Sequence, residues 1–362
     1  MRQISHATNR QNHSCVLSPA TAEYPSISSR DLLIVLFQTM MTAETTMKDY
    51  HGVIGNASDT WLYSSTTGFD LTRPTQPPSS PVKSCVTVQT TTSPVTIDPS
   101  KSALVIIDMQ NYFLSPAFGR SRDAGHDSLD QLVNHAIPAA RAAGIRIIWL
   151  NWGLTDREID NMPPAVSRAF GFEVWNADAK GTNGVPNQVR GTGVAVNKHG
   201  QMSKVRCYKG LGSPCGLVDD PASGREIDAG RLLTRGAWNS DLYPPLDEMY
   251  REGSRLAVRP DVWIHKNRMS GMWGAKTECE EFLEREGIKT LMFSGVNTDQ
   301  CVGGTYMDSF SKGYDCILLS DGAATTSPSF AQQCIEFNAA NTWGFSTTCK
   351  ALAEGVAAMG PS

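Results

Sequence analysis

Three reactive side chains lie at or just after the ends of predicted buried strands. Asp108 directly follows one apolar run, Lys266 ends a second, and Cys301 comes shortly after a third. A thiolate attacks acyl carbons, and a carboxylate can accept the thiol proton and later return it to a leaving amine. An ammonium group stabilises both anions. These three residues are therefore the candidate catalytic set, with the cysteine as nucleophile.

The candidate nucleophile lies at a predicted turn between a strand and a helix. The segment GVNTDQC at 295–301 follows the apolar run at 290–294, and a helical stretch is predicted from 300 to 312. At such a turn, the unpaired N–H groups and the positive end of the helix dipole stabilise a thiolate. Backbone N–H groups around Asn297 and Cys301 are also suited to hold an oxyanion.

Each of the three residues also has a structural interpretation when taken alone. An aspartate after a buried strand often caps a turn, a lysine at a strand end is commonly solvated, and a cysteine beside a helix start is often structural. The catalytic interpretation gains support because all three fall at the carboxyl edge of one predicted sheet. Ligands bind at that edge in open α/β sheets.

Strands alternate with helices over the regular part of the chain, which begins near residue 97. The predicted strands are 103–107, 145–150, 262–266, 290–296, 316–319 and 345–349, and the predicted helices are 128–143, 277–285, 300–312, 330–340 and 351–359. This order predicts an α/β fold, a doubly wound three-layer sandwich with a six-stranded, mostly parallel sheet.

The remaining segments differ in composition. Residues 1–46 are polar and are predicted to be a disordered extension, and residues 47–96 are predicted to be an N-terminal arm and linker. The main domain is predicted at 97–359. Within it, Gly and Pro recur through 152–259, which is too long for a plain loop and is predicted to be an insertion over one end of the sheet.

Composition excludes some classes of partner. The 362 residues carry a formal net charge of −4, which gives no reason to expect nucleic acid or an anionic membrane as partner. The apolar run at 32–37 is too short to span a bilayer. The nine cysteines are irregularly spaced without a CxxC pair, which predicts neither a zinc site nor a disulfide framework but a reducing, cytoplasmic setting.

Three segments resemble the signatures of the isochorismatase-like cysteine hydrolases. They are DMQNYF at 108–113, KNRMSG at 266–271 and GVNTDQCV at 295–302, and DGAA at 321–324 resembles the next strand end of that family. The resemblance spans about 97–355. It implies Asp108 as general base and acid, Lys266 as charge-stabilising partner and Cys301 as nucleophile. It also implies a cis peptide between Val296 and Asn297 that turns N–H groups into the oxyanion hole.

The sequence departs from the family pattern in three places. The predicted insertion at 152–259 is long for the family. Tyr112 stands where many relatives carry Asp. Nicotinamidase members bind a metal through an Asp-x-His segment after the second strand, and here the corresponding region, NWGLTDRE at 151–158, contains no His. We therefore predict no catalytic metal and no cofactor.

The family resemblance implies two chemistries, hydrolysis of a C–N bond and hydrolysis of a vinyl ether, and the thiol favours the first. Hydrolysis of an amide, imide or ureido group proceeds through a thioester, so Cys301 favours cleavage of a C–N bond in a small molecule. In this respect the chain resembles ureidoacrylate, biuret and N-carbamoyl amide hydrolases. One alternative is vinyl ether hydrolysis of the isochorismatase type, which needs a proton donor and no thiol. A second is a catalytically silent binding or scaffolding member.

The residues around the substrate are predicted from their position and type. Candidates for substrate binding are Gln110, Phe113, Trp152, Trp238 and Trp273, with Tyr208 as a further aromatic wall. Candidates for a carboxylate clamp are Arg157, Arg168, Lys204, Arg206 and Arg268. Relatives are dimers or tetramers, so a homo-oligomer is expected. The aromatic residues of the arm suit either exchange between subunits or packing within one chain.

Overall fold

The computed structural model describes residues 49–57, 59–74, 85–176, 190–202, 209–221 and 223–359. The predicted extension at 1–46 and the candidates Lys204, Arg206 and Tyr208 lie outside these residues. The strands are β1 (His51–Asn56), β2 (Asp59–Ser64), β3 (Gly68–Asp70), β4 (Val86–Val88), β5 (Val95–Ile97), β6 (Ser102–Ile107), β7 (Arg146–Trp152), β8 (Phe172–Val174), β9 (Val194–Val196), β10 (Leu217–Asp220), β11 (Arg225–Asp228), β12 (Val262–Lys266), β13 (Thr290–Val296), β14 (Asp315–Ala324) and β15 (Phe345–Thr347).

The α-helices are α1 (Asn111–Leu114), α2 (Ala124–Gln131), α3 (Ile137–Ala143), α4 (Asp156–Asp160), α5 (Pro164–Ala169), α6 (Leu246–Gly253), α7 (Glu278–Glu286), α8 (Gly303–Ser311), α9 (Ser329–Asn338) and α10 (Cys349–Ala357). Wider π-helical turns occupy Leu132–Ala136, Thr298–Val302 and Ala339–Trp343. The first of these joins α2 to α3, and the second leads directly into α8.

A six-stranded, all-parallel sheet forms the centre of the fold, as the sequence predicts. Its strand order is β12-β7-β6-β13-β14-β15. Every residue of β6, β7 and β13 is buried, because helices cover both faces of the sheet. Alternate residues therefore enter two separate cores. On β6, Val105 and Ile107 join one core, whereas Leu104 and Ile106 join the other.

The helices form the two outer layers. The cluster on one face contains Leu132 and Ile137 from the α2–α3 segment together with Leu352 of α10. The cluster on the other face contains Phe282 of α7 and Tyr306 of α8. The three-layer sandwich predicted from the alternation of strands and helices is confirmed.

Several element boundaries differ from the sequence prediction. The segment predicted as a helix at 128–143 begins earlier, at Ala124, where the side chain of Asp123 caps the helix. Strand β14 continues to Ala324 instead of ending at 319. Its polar residues obscured this extension in the sequence. Asp321 Oδ1 accepts a hydrogen bond at 2.7 Å from the N–H of Cys349, the first residue of α10.

The described part of the predicted arm and linker at 47–96 forms strands β1–β4, which together with β5 make a second, five-stranded sheet. Trp61 packs against Phe345 with ring centroids 5.8 Å apart and donates from Nε1 to Asp315 Oδ1 at 2.8 Å. Arg73 donates to both oxygens of Asp315 at 2.6 and 2.8 Å. This segment therefore packs on the main domain of its own chain.

The described residues of the insertion contact the carboxyl ends of β6 and β7. The N–H of Tyr243 donates to Met109 O at 2.9 Å, and the N–H of Leu154 donates to Leu233 O at 2.8 Å. These hydrogen bonds place Tyr243 and Leu233 beside the carboxyl ends of β6 and β7, and the assignment of 152–259 as an insertion stays a prediction. Among the described residues, no helix is long and apolar enough to cross a membrane.

Candidate active site

The three candidate catalytic residues meet where the growth of the sheet reverses direction. From β6 the chain adds β7 and then β12 on one side, and it then returns to place β13 on the other side of β6. Crevices at such switch points are the usual ligand sites of doubly wound sheets. Asp108 follows β6, Lys266 ends β12, and Cys301 follows β13.

Asp108 and Lys266 form an ion pair inside the protein. Lys266 Nζ lies 2.9 Å from Asp108 Oδ2, and the two side chains are 1 % and 0 % exposed. The other carboxylate oxygen accepts the backbone N–H of Trp152 at 3.1 Å. Asp108 has a φ of +55°, a left-handed conformation that Asp tolerates better than most residues. Such an outlier at a strand end supports a functional role for the side chain.

The ammonium group of Lys266 has two further contacts. Nζ donates to the carbonyl oxygen of Arg268 at 3.2 Å and lies 4.1 Å from the centre of the Trp152 ring. The ring offers its negative face to the cation. The carboxylate, the carbonyl and the ring together hold the lysine head in one position beside Asp108.

Cys301 lies in the π-helical turn Thr298–Val302 that opens α8, and it is 4 % exposed. Its Sγ is 3.3 Å from Sδ of Met269, in the segment that follows Lys266. The peptide bond between Val296 and Asn297 is cis. The assignment of the oxyanion hole to Asn297 and Cys301 stays a prediction.

Comparison with known proteins decides the family. The family model of the isochorismatase domain matches residues 102–202 and 221–348, which is more than half of the chain. The chain belongs to the isochorismatase family. Residues 203–220 of the insertion fall outside the match. The candidate site thus lies within an isochorismatase-family hydrolase domain.

Several solved structures are similar to this chain at low sequence identity. A cysteine hydrolase from Pseudomonas syringae pv. phaseolicola is 17% identical over 78% of this chain and 100% of its own, with a TM-score of 0.46. The nicotinamidase PncA from Bacillus subtilis is 16% identical over 68% and 99%, with a TM-score of 0.43. An isochorismatase family protein from Desulfovibrio vulgaris is 19% identical over 71% and 98%, with a TM-score of 0.44.

Burial controls the protonation of the site in this family member. It raises the pKa of Cys301 to about 12, and the nearby charge of Asp108 adds to the rise while Lys266 and the Trp152 indole oppose it. Burial also raises the pKa of Asp108, against the effects of Lys266 and the Cys301 thiol. These shifts favour a resting thiol over the thiolate that a helix terminus stabilises, with Asp108 placed to accept its proton.

Gln110 holds the backbone around the site. Its Nε2 donates to Trp152 O at 2.8 Å and to Ser240 O at 2.6 Å, and its Oε1 accepts the Trp152 N–H at 3.1 Å. Both amide hydrogens are therefore used in joining the end of β7 to the insertion. We assign Gln110 a positioning role instead of the substrate contact predicted from the sequence.

The predicted aromatic wall residues occupy different places. Trp152 lies at the ion pair, and Phe113 packs edge-on against Tyr112 with ring centroids 4.9 Å apart. Trp238 lines a cavity together with Asn111 and Tyr243, whereas Trp273 lines another with Arg157 and Arg268. The single aromatic pocket expected from the sequence is thus divided between the site and two separate cavities.

The sequence pointed to Tyr112 without its role and missed one contact of the thiol. Tyr112 is buried beside Phe118 and Phe170 and extends the aromatic core. Met269 touches the thiol, and its position three residues after Lys266 was a usable signal. In the described parts of the chain, His, Cys, Asp and Glu side chains form no group of three that could hold a metal ion.

Proposed function

We propose that this protein is a cysteine hydrolase that cleaves the C–N bond of an amide, imide or ureido group in a small molecule. The observation that carries the proposal is the buried cluster in which the Cys301 thiol faces the Asp108–Lys266 ion pair. Amide hydrolysis uses a nucleophile, a proton acceptor and a nearby cation. A buried cysteine that only filled core space would need neither charge.

The first half of the reaction forms a thioester. Cys301 Sγ attacks the acyl carbon while Asp108 accepts the thiol proton, so a C–S bond forms and the carbonyl oxygen becomes an oxyanion. Backbone N–H groups at Asn297 and Cys301 would stabilise that oxyanion. When the C=O bond re-forms, the C–N bond breaks and Asp108 returns its proton to the leaving nitrogen.

The second half hydrolyses the thioester. Water attacks the same carbon while Asp108 accepts one of its protons, and a second oxyanion forms. The C–S bond then breaks, the proton returns to sulfur, and the acid is released. The Lys266 ammonium group, 2.9 Å from Asp108 Oδ2, compensates the carboxylate whenever Asp108 is ionised.

The test compares the wild-type chain with Cys301→Ala on a panel of amides, imides and ureido compounds. Cys334→Ala is the matched control, because Cys334 is an exposed free thiol. We expect an acyl adduct on Cys301 in intact-mass spectra and a loss of turnover of at least about 10³-fold in Cys301→Ala alone. Prior alkylation by iodoacetamide should inhibit the wild-type chain to a similar extent.

Other results identify the alternatives. Undiminished activity of Cys301→Ala on a vinyl ether such as isochorismate would point to vinyl ether hydrolysis, in which Asp108 donates a proton and the thiol takes no part. Binding of compounds without adduct or turnover would point to a silent binding member of the family. Either result would contradict the proposed C–N hydrolysis.

A further inference from the structure

A cavity of about 500 Å³ adjoins the segment that carries Lys266. It is lined by Thr155, Arg157, Glu158, Asn161, Asn267, Arg268 and Trp273. Two of these residues directly follow Lys266, and the carbonyl of Arg268 accepts a hydrogen bond from Lys266 Nζ at 3.2 Å. The next residue, Met269, touches the Cys301 thiol. One short segment therefore contributes to both the cavity wall and the catalytic cluster.

The guanidinium group of Arg268 offers one edge to this cavity. Its Nη1 donates to Asn267 O at 2.7 Å and contacts Met162 Sδ at 3.4 Å. Among the described residues, no carboxylate forms an ion pair with Arg268, and neither Nε nor Nη2 has a hydrogen-bond partner. The Nε–Nη2 edge of an arginine matches the two oxygens of a carboxylate.

The neighbouring wall holds Arg268 in place before any ligand arrives. The Arg268 guanidinium carbon lies 4.6 Å from the centre of the Trp273 ring, whose Nε1 donates to Asn267 Oδ1 at 3.0 Å. Asn267 in turn donates from Nδ2 to Glu158 Oε1 at 2.7 Å. A group that is already fixed loses little side-chain entropy when it binds a ligand.

Glu158 is the carboxylate among the lining residues, and its charge is directed into the wall. Its oxygens accept hydrogen bonds from Asn267 and from the N–H and hydroxyl of Thr155, and Arg235 lies 3.9 Å away. Burial acts to raise the pKa of Glu158, but the Thr155 and Asn267 hydrogen bonds lower it overall. Arg157 is exposed and forms no ion pair within the described parts of the chain. The open side of the cavity is therefore cationic.

We infer that this cavity is the subsite for a carboxylate on the substrate, with Arg268 as the specificity-determining residue. This inference rests on the proposed C–N hydrolysis. The substrate class is then an amido or ureido acid, whose carboxylate binds the Nε–Nη2 edge of Arg268 while its acyl carbon reaches Cys301. Arg157 adds a second, more distant positive charge, and Trp273 covers the connecting carbons.

The test uses ureido and amido acids with one to four carbons between the two groups, each paired with its neutral primary amide. N-carbamoylglycine and N-carbamoylglycinamide form the shortest pair. We expect wild type to prefer the acids, and Arg268→Gln to lower kcat/KM for the acids by about 10- to 100-fold, mainly through KM. For the neutral amides, kcat/KM should change by less than about twofold. Arg268→Lys should reduce kcat/KM for the acids less than Arg268→Gln does, because it keeps the positive charge. It should not reach the wild-type value, because lysine lacks the paired donors of arginine.

The matched control is Arg255→Gln, which removes an exposed arginine that does not line the cavity and should leave kcat/KM for both substrate series unchanged. Calorimetric binding to Cys301→Ser separates recognition from chemistry. Binding of the acids that Arg268→Gln abolishes, without turnover by the wild-type chain, would support the carboxylate subsite and contradict the proposed hydrolysis. Turnover without preference for acids, or an equal loss on both series in Arg268→Gln, would overturn the subsite and leave the hydrolysis standing.

Discussion

Asp108 and Cys301 are best understood as a coupled pair that holds one transferable proton. Burial raises the pKa of both groups, and each influences the other. A pre-formed thiolate beside an ionised carboxylate would place two negative charges in a buried space with one lysine. A neutral thiol beside the Asp108–Lys266 ion pair avoids this cost and keeps the carboxylate ready to accept the proton.

The coupling predicts the pH dependence of activity. Catalysis requires ionised Asp108, whose pKa lies above that of an ordinary carboxyl group, so the acid limb of kcat/KM should also lie above the ordinary range. Lys266 lowers the pKa of Asp108, and Lys266→Met should therefore move this limb to higher pH and reduce kcat/KM by at least about 100-fold.

The measurement is a pH profile of kcat/KM for wild type, Lys266→Met and Lys266→Arg. The arginine variant keeps the positive charge, so its acid limb should stay near that of wild type even if its rate falls. An acid limb that stays in place or moves to lower pH in Lys266→Met would show that the lysine does not act on Asp108 as described.

The sequence located the three reactive residues because each ends or follows an apolar run, and a strand end is visible in such a pattern. It did not show how burial changes their pKa values or which distant residues bond to the backbone around them. The helix start beside Cys301 was visible, but the depth of burial that raises its pKa depends on the whole fold. Gln110 was visible as a polar residue near Asp108, yet its partners include a carbonyl 130 positions away.

At the scale of elements, the site depends on how closely β13 approaches β6. Gly295 lies opposite Ile107 in the parallel register of these strands, and its φ is +103°. A Cβ at this position would overlap the carbonyl oxygen of Ile107. The same strand leads within a few residues to Asn297 and Cys301, so this close approach fixes where the nucleophile sits relative to Asp108.

Gly295→Ala should therefore be strongly destabilising, by about 3–5 kcal/mol, because a left-handed conformation and a backbone overlap act together. Gly313→Ala is the matched control, since Gly313 also has a positive φ of +88° but open space around the added carbon. Its cost should be about 1–2 kcal/mol. Urea unfolding gives the free energy of unfolding of both variants. If both variants lose the same amount, the close approach of β13 to β6 does not determine the cost at Gly295.

The success of the element prediction also varies with the kind of burial. A strand buried on both faces appears as a continuous apolar run, and β13 was predicted with its observed bounds. The edge strand β12, which is only partly buried, was also predicted with its observed bounds. The extension of β14 carries Ser320 and Asp321, whose polar side chains are satisfied by contacts distant in sequence. Leu233 and Leu242, which lie between 152 and 259, are buried in the two cores, but the recurring Gly and Pro of this stretch leave no helical or strand period that would mark them in the sequence.

At the scale of the whole molecule, the N-terminal arm and the catalytic sheet share one charged connection. Asp315 begins β14, and its side chain is 2 % exposed. It accepts hydrogen bonds from Arg73 and Trp61 of the arm segment and from Thr290 of β13. Asp315 therefore accepts hydrogen bonds from both the arm and the sheet, and two of its three side-chain partners, Arg73 and Trp61, lie in the segment that the sequence assigned to the arm.

Loss of this connection should affect stability and the attachment of the arm together. Arg73→Met leaves the buried Asp315 carboxylate without its cation, and such a change costs about 3–5 kcal/mol. Lys276→Met removes one partner of an ion pair of similar length, 2.6 Å, in which both side chains are about half exposed, and it should destabilise the fold much less because exposed ion pairs contribute little. Urea unfolding compares the two variants, and limited proteolysis reports cleavage near 49–74. The role of Asp315 in holding the arm to the sheet would be contradicted by two results together. The arm of Arg73→Met would stay resistant to proteolysis, and its free energy of unfolding would fall no more than that of Lys276→Met.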